Sequence, residues 1–375
     1  MGSVITLAFD SFKGSIGAVT LGAALQSHLC ESFPGFEIVN FPCSDGGDGF
    51  AESVGHHFDT QLAPCTVSGP LLRPITARYV WAPADRLAII ESAQANGLPL
   101  LSEEERDPLR TTTYGVGELL LDAVRRGAER IIIGVGGSAT VDGGVGMAQA
   151  LGFTFVDGAG APLGPKIGEF GDVDEVIGPP DHPLCGVAVS VACDVRTRLL
   201  GPRATSAVWI YGPQKGGTEQ SLGLIEQRLA RLDARIEATL GRDYGSVEMG
   251  GAAGGLAAGL AVFAGAELRQ GMQLFDELTG LREQVARSDL VITGEGRLDA
   301  QSAEGKVADY VSGLCRELGV PVFALCGSAE GDPLPLDGII ALTDSGMPAE
   351  DCIARPLDAL DHVMPRLVEV VKDRL

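Results

Sequence analysis

The sequence predicts an α/β fold built from two α/β domains. Strand-like apolar runs alternate with helix-like segments near both ends of the chain, starting with the strand expected over 4–9 and the helix expected over 16–33. Strand, helix, strand in that order favours parallel pairing. At 375 residues with 45% hydrophobic composition, the chain is long enough for two domains. We expect a Rossmann-like parallel-sheet domain over 1–69 plus 290–375, with a second α/β domain inserted over 70–289.

Each predicted element follows from a local pattern. Leu21, Leu25 and Leu29 share one face of the first helix. The runs ITARYVW and RLAIIES, separated by APAD, predict a hairpin. Further strands are expected at 37–42, 130–137, 187–194, in SAVWIYGPQKGG, and in DLVITG, PVFALCGS and GIIALTD; further helices are expected near 115–126, 218–240, 306–318 and 356–372.

Charge and composition indicate which classes of ligand and partner the protein is expected to bind. The formal net charge is −22, from 50 acidic and 28 basic residues, which disfavours nucleic acid and anionic membranes but suits a small anionic ligand that arrives with Mg²⁺. The glycine- and alanine-rich stretch 249–266 predicts a loop leading into a buried helix in preference to a membrane span. Eight scattered cysteines without a C-x-x-C pair favour reduced thiols and a cytoplasmic protein.

Small and charged residues recur where the predicted strands end. Glycine and aspartate are ordinary turn residues singly. Together, loops that lie at one edge of a parallel sheet and precede helices can hold phosphate, and their carboxylates can hold a metal. The residues concerned are Asp10, Lys13, Asp45, Asp48, Ser138, Asp142, Asp194, Lys215, Glu295, Arg297 and Asp299.

Two known nucleotide motifs give alternatives. Gly134-x-Gly136-x-x-Ala139 follows a strand and precedes Asp157, as in NAD-dependent dehydrogenases, although Gly143-Gly144 delays the helix. A P-loop is absent, because Gly305-Lys306 is followed by valine and lacks the earlier glycine. An NAD-dependent dehydrogenase and a non-catalytic nucleotide-binding protein therefore stay open as alternatives.

Eight motifs in order resemble one family. DSFKGS, SDGGDG, ESAQANGL, TTTYGVGEL, GGSATVDGG, YGPQKGG, GGAAGGL and TGEGRLDAQSAEGK resemble the type-1 glycerate kinases. The resemblance implies two α/β domains with the active site in the interdomain cleft, ATP with Mg²⁺, and D-glycerate as substrate. It implies a phosphoglycerate product, with 2-phosphoglycerate favoured over 3-phosphoglycerate, and a monomer or homodimer. The family usually has Asn-Pro-Leu where this chain has Thr197-Arg198-Leu199.

The resemblance implies a role for each of the strand-end residues. Phosphoryl transfer depends on positioning and charge neutralisation. Asp194 is expected to orient or deprotonate the glycerate hydroxyl, with Lys13 and Asp10 also catalytic. Arg297 is expected to clamp the glycerate carboxylate. Substrate binding is further expected of Asp45, Lys215 and Asp299; nucleotide binding of Ser138, Asp142, Gly251, Gly254 and Gly255; and metal binding of Glu295, Asp45 and Asp10.

Overall fold

A computed structural model describes residues 3–299, 302, 306–331 and 334–375. The chain divides into two compact units, which are described separately. The first unit comprises Met1–Phe58 and Gly271–Leu375, and the second comprises Asp59–Gln270.

The strands and helices alternate along most of the chain. The strands are β1 Val4–Phe9, β2 Glu37–Asn40, β3 Gln61–Ser68, β4 Pro74–Ala82, β5 Leu87–Glu91, β6 Arg130–Gly134, β7 Thr154–Asp157, β8 Val173–Ile177, β9 Ala188–Ala192, β10 Glu267–Arg269, β11 Leu290–Gly294, β12 Arg297–Leu298, β13 Val322–Cys326, β14 Ser328–Ala329 and β15 Gly338–Ala341. The helices are α1 Ala18–Ser32, α2 Phe50–Gly55, α3 Ala93–Asn96, α4 Tyr114–Arg125, α5 Val145–Ala150, α6 Ala207–Tyr211, α7 Glu219–Leu240, α8 Leu256–Phe263, α9 Gly271–Thr279, α10 Leu281–Ala286, α11 Val307–Leu318, α12 Ala349–Ala354 and α13 Pro356–Arg374.

The first unit is built on a five-stranded sheet with the order β15-β13-β11-β1-β2, and every neighbouring pair is parallel. All six residues of β1 are buried, as expected for a strand covered on both faces. Leu21, Leu25 and Leu29 of α1 are fully buried in the core of this unit, together with apolar residues of α13. The sheet therefore joins strands from both ends of the chain.

The second unit is built on a six-stranded sheet with the order β10-β9-β6-β5-β4-β3. The pairs from β10 to β5 are parallel, and β5, β4 and β3 form an antiparallel meander at one edge. A separate antiparallel hairpin joins β7 and β8. One large apolar core packs the helices of this unit, including the buried stripe of α7, against the sheet.

Most predicted elements are confirmed, including the mixed α/β class, the parallel pairing of β1 with β2, and the hairpin of β4 and β5. The strand predicted in SAVWIYGPQKGG is wrong, because that segment forms helix α6 and a short 3-10 turn at Pro213–Lys215. The stretch 249–266 forms a glycine turn followed by the buried helix α8. Across the described residues, the structure has no helix with the length and apolarity that a membrane crossing requires.

The unit limits lie earlier in the chain than the expected positions 69 and 290. β3 belongs to the second unit because all eight of its residues pair with β4. α9 belongs to the first unit, where Phe275 packs edge-on against Phe41 with ring centroids 6.3 Å apart. Neither the β3 run nor the helices over 271–286 was predicted.

Candidate active site

The sheet of the first unit has a topological switch point between β1 and β11. From β1 the chain continues to β2 on one side, and from β11 it continues to β13 and β15 on the other. In open parallel sheets, ligands bind beyond the carboxyl ends of the strands at such a point. Asp10 directly follows β1 and Glu295 directly follows β11, so the register of the two strands brings these carboxylates to the same edge.

A cavity of about 580 Å³ opens at this edge. Its walls come from the loops that follow all five strands of the sheet and from α12. The lining residues are Asp10, Ser11, Phe12, Lys13, Ser15, Asp45, Gly47, Asp48, Glu295, Gly296, Arg297, Asp299, Lys306, Gly327, Ser328, Leu342, Thr343, Ala349, Cys352 and Ile353. The structure therefore brings together seven of the predicted site residues: Asp10, Lys13, Asp45, Asp48, Glu295, Arg297 and Asp299.

Burial and neighbouring carboxylates raise the pKa values of Asp10 and Glu295. Burial raises the pKa of Asp10 well above its usual range, and the charges of Asp45 and Glu295 raise it further, against a hydrogen bond from the Ser11 N–H at 2.7 Å. Burial also raises the pKa of Glu295, and Asp45 and Asp299 add to this rise, while Ser302 and Lys306 oppose it. Like charges gathered at low hydration favour a bound cation or a shared proton.

Three basic side chains that line the cavity pair with acidic side chains. Lys306 Nζ lies 3.9 Å from Glu295 Oε2, at the start of α11. Lys13 Nζ lies 3.8 Å from Asp48 Oδ2, and both side chains are largely exposed. Arg297 Nε lies 3.1 Å from Asp299 Oδ2, and a second nitrogen of the same guanidinium lies 2.7 Å from Glu330 Oε1. The cavity therefore offers positive and negative groups to an anionic ligand.

One atom at the switch point suits a divalent cation. Glu295 is only 7% exposed, and its Oε1 is buried without a hydrogen-bond partner in the described part of the chain. A buried, unpartnered carboxylate oxygen is costly unless a ligand completes it. No group of three or more His, Cys, Asp or Glu side chains among the described residues is close enough to hold a metal alone. A cation that takes one or two carboxylates and fills its shell with water and phosphate fits these residues.

The second unit carries a separate polar cluster at the end of β6. Asp142 is fully buried, and its carboxylate accepts hydrogen bonds from the Thr113 N–H and hydroxyl, each at 2.8 Å, and from the N–H groups of Gly144 and Gly146. Burial raises the pKa of Asp142, and these hydrogen bonds oppose that rise. The side chain therefore shapes the loop before α5, and its contact with a nucleotide stays a prediction.

Lys215 lies beneath the same loop and is only 3% exposed. Its Nζ donates to the Ser138 hydroxyl at 2.9 Å and to the Thr140 carbonyl at 2.8 Å. Burial lowers the pKa of Lys215 to about 7, and the charge of Asp142 opposes that lowering. Ser138, itself 7% exposed, is thus held by a buried amine, and the contact of Lys215 with a substrate stays a prediction.

Close packing requires glycine at the three positions predicted to bind nucleotide, Gly251, Gly254 and Gly255. A β-carbon on Gly254 would lie 2.0 Å from the Thr140 carbonyl oxygen, and one on Gly255 would lie 2.8 Å from Gly143 Cα. Both glycines have positive φ, at 67° and 91°. A β-carbon on Gly251 would lie 2.7 Å from the Arg198 carbonyl oxygen. Close approach between protein loops explains these glycines, and their contact with nucleotide phosphates stays a prediction.

Asp194 lies two residues beyond the end of β9, level with Gly136 beyond β6, because Ala192 pairs with Gly134. Its side chain is half-buried. The neighbouring Thr197-Arg198 segment is fixed through its backbone: the Thr197 carbonyl accepts from the Gly251 N–H and the Arg198 carbonyl accepts from the Ala207 N–H. The Arg198 side chain is exposed, so the departure from the family pattern leaves the loop backbone anchored.

The dinucleotide fingerprint does not have the context that a dehydrogenase needs. Helix α5 begins at Val145, well after Ala139, and has only six residues. Asp157 ends β7, which pairs antiparallel with β8 and lies outside the parallel sheet of β6. The βαβ unit with a pyrophosphate at the helix start is therefore missing there, and the dehydrogenase alternative loses its support.

Several site residues were missed. Lys306, Ser328, Thr343 and Ile353 line the cavity, and Thr113 binds Asp142. Lys306 and Thr113 lie in two of the quoted motifs, so the motifs contained a signal for them. Residues 300–301 and 303–305 of TGEGRLDAQSAEGK, including Gly305, lie outside the described residues.

Carboxylates and lysines cluster at the switch point of a parallel sheet, and the Glu295 Oε1, without a partner in the described ranges, suits a cation. Phosphoryl transfer uses groups of these kinds to position and neutralise phosphate. The protein is an enzyme of the phosphotransferase class with an alcohol group as acceptor.

Comparisons with known proteins agree with that class. Residues 5–372 match the model of the glycerate kinase family. A glycerate kinase of Halalkalibacterium halodurans is 37% identical over 96% of this chain and 93% of its own length. The glycerate 2-kinase of Escherichia coli strain K12 is 38% identical over 88% of this chain and 86% of its own. A crystal structure from Salmonella typhimurium LT2, assigned as glycerate kinase 2, superposes with a TM-score of 0.88 at 32% identity, covering 100% of this chain and 99% of that one. The chain belongs to the glycerate kinase family.

Proposed function

We propose that this protein transfers the γ-phosphoryl group of ATP to D-glycerate and forms 2-phosphoglycerate, with Mg²⁺ as the metal. The observation that carries the proposal is the buried Oε1 of Glu295 at the switch point, beside Asp10 and Asp45, which has no hydrogen-bond partner among the described residues. The attachment to the 2-hydroxyl is supported by the relative from Escherichia coli, which is a glycerate 2-kinase.

Asp10, Asp45 and Glu295 are the residues that would hold Mg²⁺, one or two of them directly and the others through water. Bound Mg²⁺ neutralises the negative charge of the phosphate oxygens in such reactions. Burial raises the pKa values of Asp10 and Glu295, and neighbouring carboxylates raise them further. A divalent cation beside these groups would favour their ionised forms.

Glycerate brings one carboxylate and two hydroxyl groups that need positioning. Arg297 suits the carboxylate, because guanidinium has five donors in a planar fork and its pairs with Asp299 and Glu330 are at an exposed position. Lys13 is exposed at the cavity and suits the transferred phosphoryl group. Asp194 is proposed to orient the 2-hydroxyl and to accept its proton, and Ser138, held by Lys215, is proposed to contact phosphate.

The experiment measures ADP release with ATP, Mg²⁺ and D-glycerate, and then identifies the product by proton-coupled ³¹P NMR. A phosphate on the 2-oxygen couples to one carbon-bound proton and gives a doublet, whereas a phosphate on the 3-oxygen couples to two and gives a triplet. We expect ADP release that depends on D-glycerate, and a doublet. A triplet would overturn the 2-position, and ADP release no faster than without acceptor would overturn the kinase assignment.

A further inference from the structure

The cavity of the first unit is larger than a three-carbon acid requires. At about 580 Å³ it falls within the range of about 300–1,000 Å³ typical of pockets that hold drug-sized ligands. Glycerate and a metal would fill only the part next to Asp10 and Glu295. The remaining volume extends toward the strands on the other side of the switch point, where the lining residues are of a different kind.

That far end of the cavity is apolar. Leu342 follows β15, and Ala349, Cys352 and Ile353 belong to α12. Ile353 is 56% exposed at the rim of the cavity, so its side chain is accessible to a ligand. The Ser15 hydroxyl donates to the Ile353 carbonyl at 2.7 Å and so links the loop after β1 to α12.

The spacing between the two ends follows from the sheet. β15 lies two strands away from β11, through β13, and neighbouring strands are about 4.8 Å apart, so the loop after β15 lies about 10 Å from Glu295 along the sheet. Between them, the cavity is lined by Ser328 and Thr343. The side-chain hydroxyls of these two residues make no hydrogen bond to another residue in the described ranges, so they are available to a polar group.

We infer that this end of the cavity is the nucleoside subsite: Ile353 and Ala349 cover a face of the adenine, Ser328 and Thr343 meet the ribose hydroxyls, and the phosphates extend toward Glu295. Along ATP, an aromatic base with apolar faces is followed by a ribose with hydroxyls and then by a triphosphate that needs cations. The residues that line the cavity follow the same order, from apolar through hydroxyl-bearing to charged. The inference rests on the proposed function, because it takes ATP as the donor.

Binding measured without acceptor separates the subsite from the reaction. Dissociation constants for Mg·ATP and for Mg·tripolyphosphate, which lacks the nucleoside, are compared by calorimetry for the wild type and for Ile353→Asp. We expect Ile353→Asp to weaken Mg·ATP about tenfold or more through lost apolar cover, and to change Mg·tripolyphosphate much less. Ile177→Asp is the matched control, since Ile177 is 44% exposed on β8 and does not line the cavity.

Three results would overturn the inference: unchanged Mg·ATP binding by Ile353→Asp, equal weakening of both ligands, or no Mg·ATP binding by the wild type. Ile353→Ala, which adds no charge, should weaken Mg·ATP in the same direction by a smaller factor, and circular dichroism checks that each variant is folded. Failure of the proposed function gives a different pattern, in which Mg·ATP binding responds to Ile353→Asp but D-glycerate stimulates no ADP release.

Discussion

Replacing Lys215 by methionine should change the pH dependence of stability in the second unit. The pKa of Lys215 falls from its ordinary 10.5 to about 7 because the amine is buried. As the pH rises, the folded state therefore loses this proton before the unfolded state does. Between pH 7 and 10.5 the unfolded state binds more protons, so Lys215 makes stability rise with pH in that window.

The size of the effect follows from that pKa. Each pH unit over which only the unfolded state holds the proton adds about 1.4 kcal/mol to the free energy of unfolding. Because the folded state is still partly protonated at pH 7, the free energy of unfolding rises by about 2 kcal/mol between pH 7 and pH 9. Lys215→Met removes the titrating group and, with it, this rise.

Urea unfolding followed by tryptophan fluorescence measures the difference directly. Both tryptophans, Trp81 and Trp209, lie in the second unit together with Lys215. The stability of the wild type relative to Lys215→Met should increase by about 2 kcal/mol from pH 7 to pH 9. Lys166→Met, which removes a lysine paired with Glu169 in the same unit, is the control. If the difference in free energy of unfolding between the wild type and Lys215→Met stays constant over this range, the amine keeps its charge up to pH 9 in the folded state, and the reasoning is refuted.

Three further substitutions test the sites. Asp194→Asn should lower kcat by about 10²-fold or more with little change in the KM for ATP, if its carboxylate accepts the hydroxyl proton; wild-type turnover in steady-state kinetics would remove it from that role. Glu295→Gln should weaken Mn²⁺ binding, measured by electron paramagnetic resonance, by on the order of tenfold, since it removes a charge from the proposed metal site; equal Mn²⁺ affinity would contradict the assignment. Gly254→Ala should destabilise the second unit by about 2 kcal/mol or more in urea, because its β-carbon would meet the Thr140 carbonyl. Gly223→Ala in α7, with open space around it, should be neutral or stabilising by up to about 1 kcal/mol, and the reverse order of the two would count against the packing argument.

Elements whose pattern is local could be predicted from the sequence. The buried run of β1 has the predicted limits, and α7 begins one residue after the predicted start. SAVWIY was predicted as a strand because valine, isoleucine, tryptophan and tyrosine favour strands. It is a helix because tertiary contacts decide: the Trp209 ring N–H donates to Glu226 on α7, and the Arg203 guanidinium lies 3.8 Å from the Trp209 ring centroid.

The candidate site was predictable to the extent that it depends on strand ends. Asp10 and Glu295 follow neighbouring parallel strands, so their meeting follows from the fold class. The burial of Asp142 and Lys215 was not predictable, because it depends on which loops pack over them. A lysine beside a glycine-rich turn has the same sequence pattern whether it is solvated or enclosed, and only the neighbouring Thr140 carbonyl and Ser138 hydroxyl distinguish the two.

The split sheet of the first unit has a consequence for how the protein is made on the ribosome. β1 and β2 leave the exit tunnel early, but β11, the inner neighbour of β1, arrives only after the whole of Asp59–Gln270 has been synthesised. The second unit is continuous in sequence and can fold as soon as it emerges. The apolar residues of β1 must wait, exposed or held by a chaperone, until Gly271–Leu375 is synthesised. Vectorial synthesis therefore favours completion of the second unit before the switch-point carboxylates are assembled.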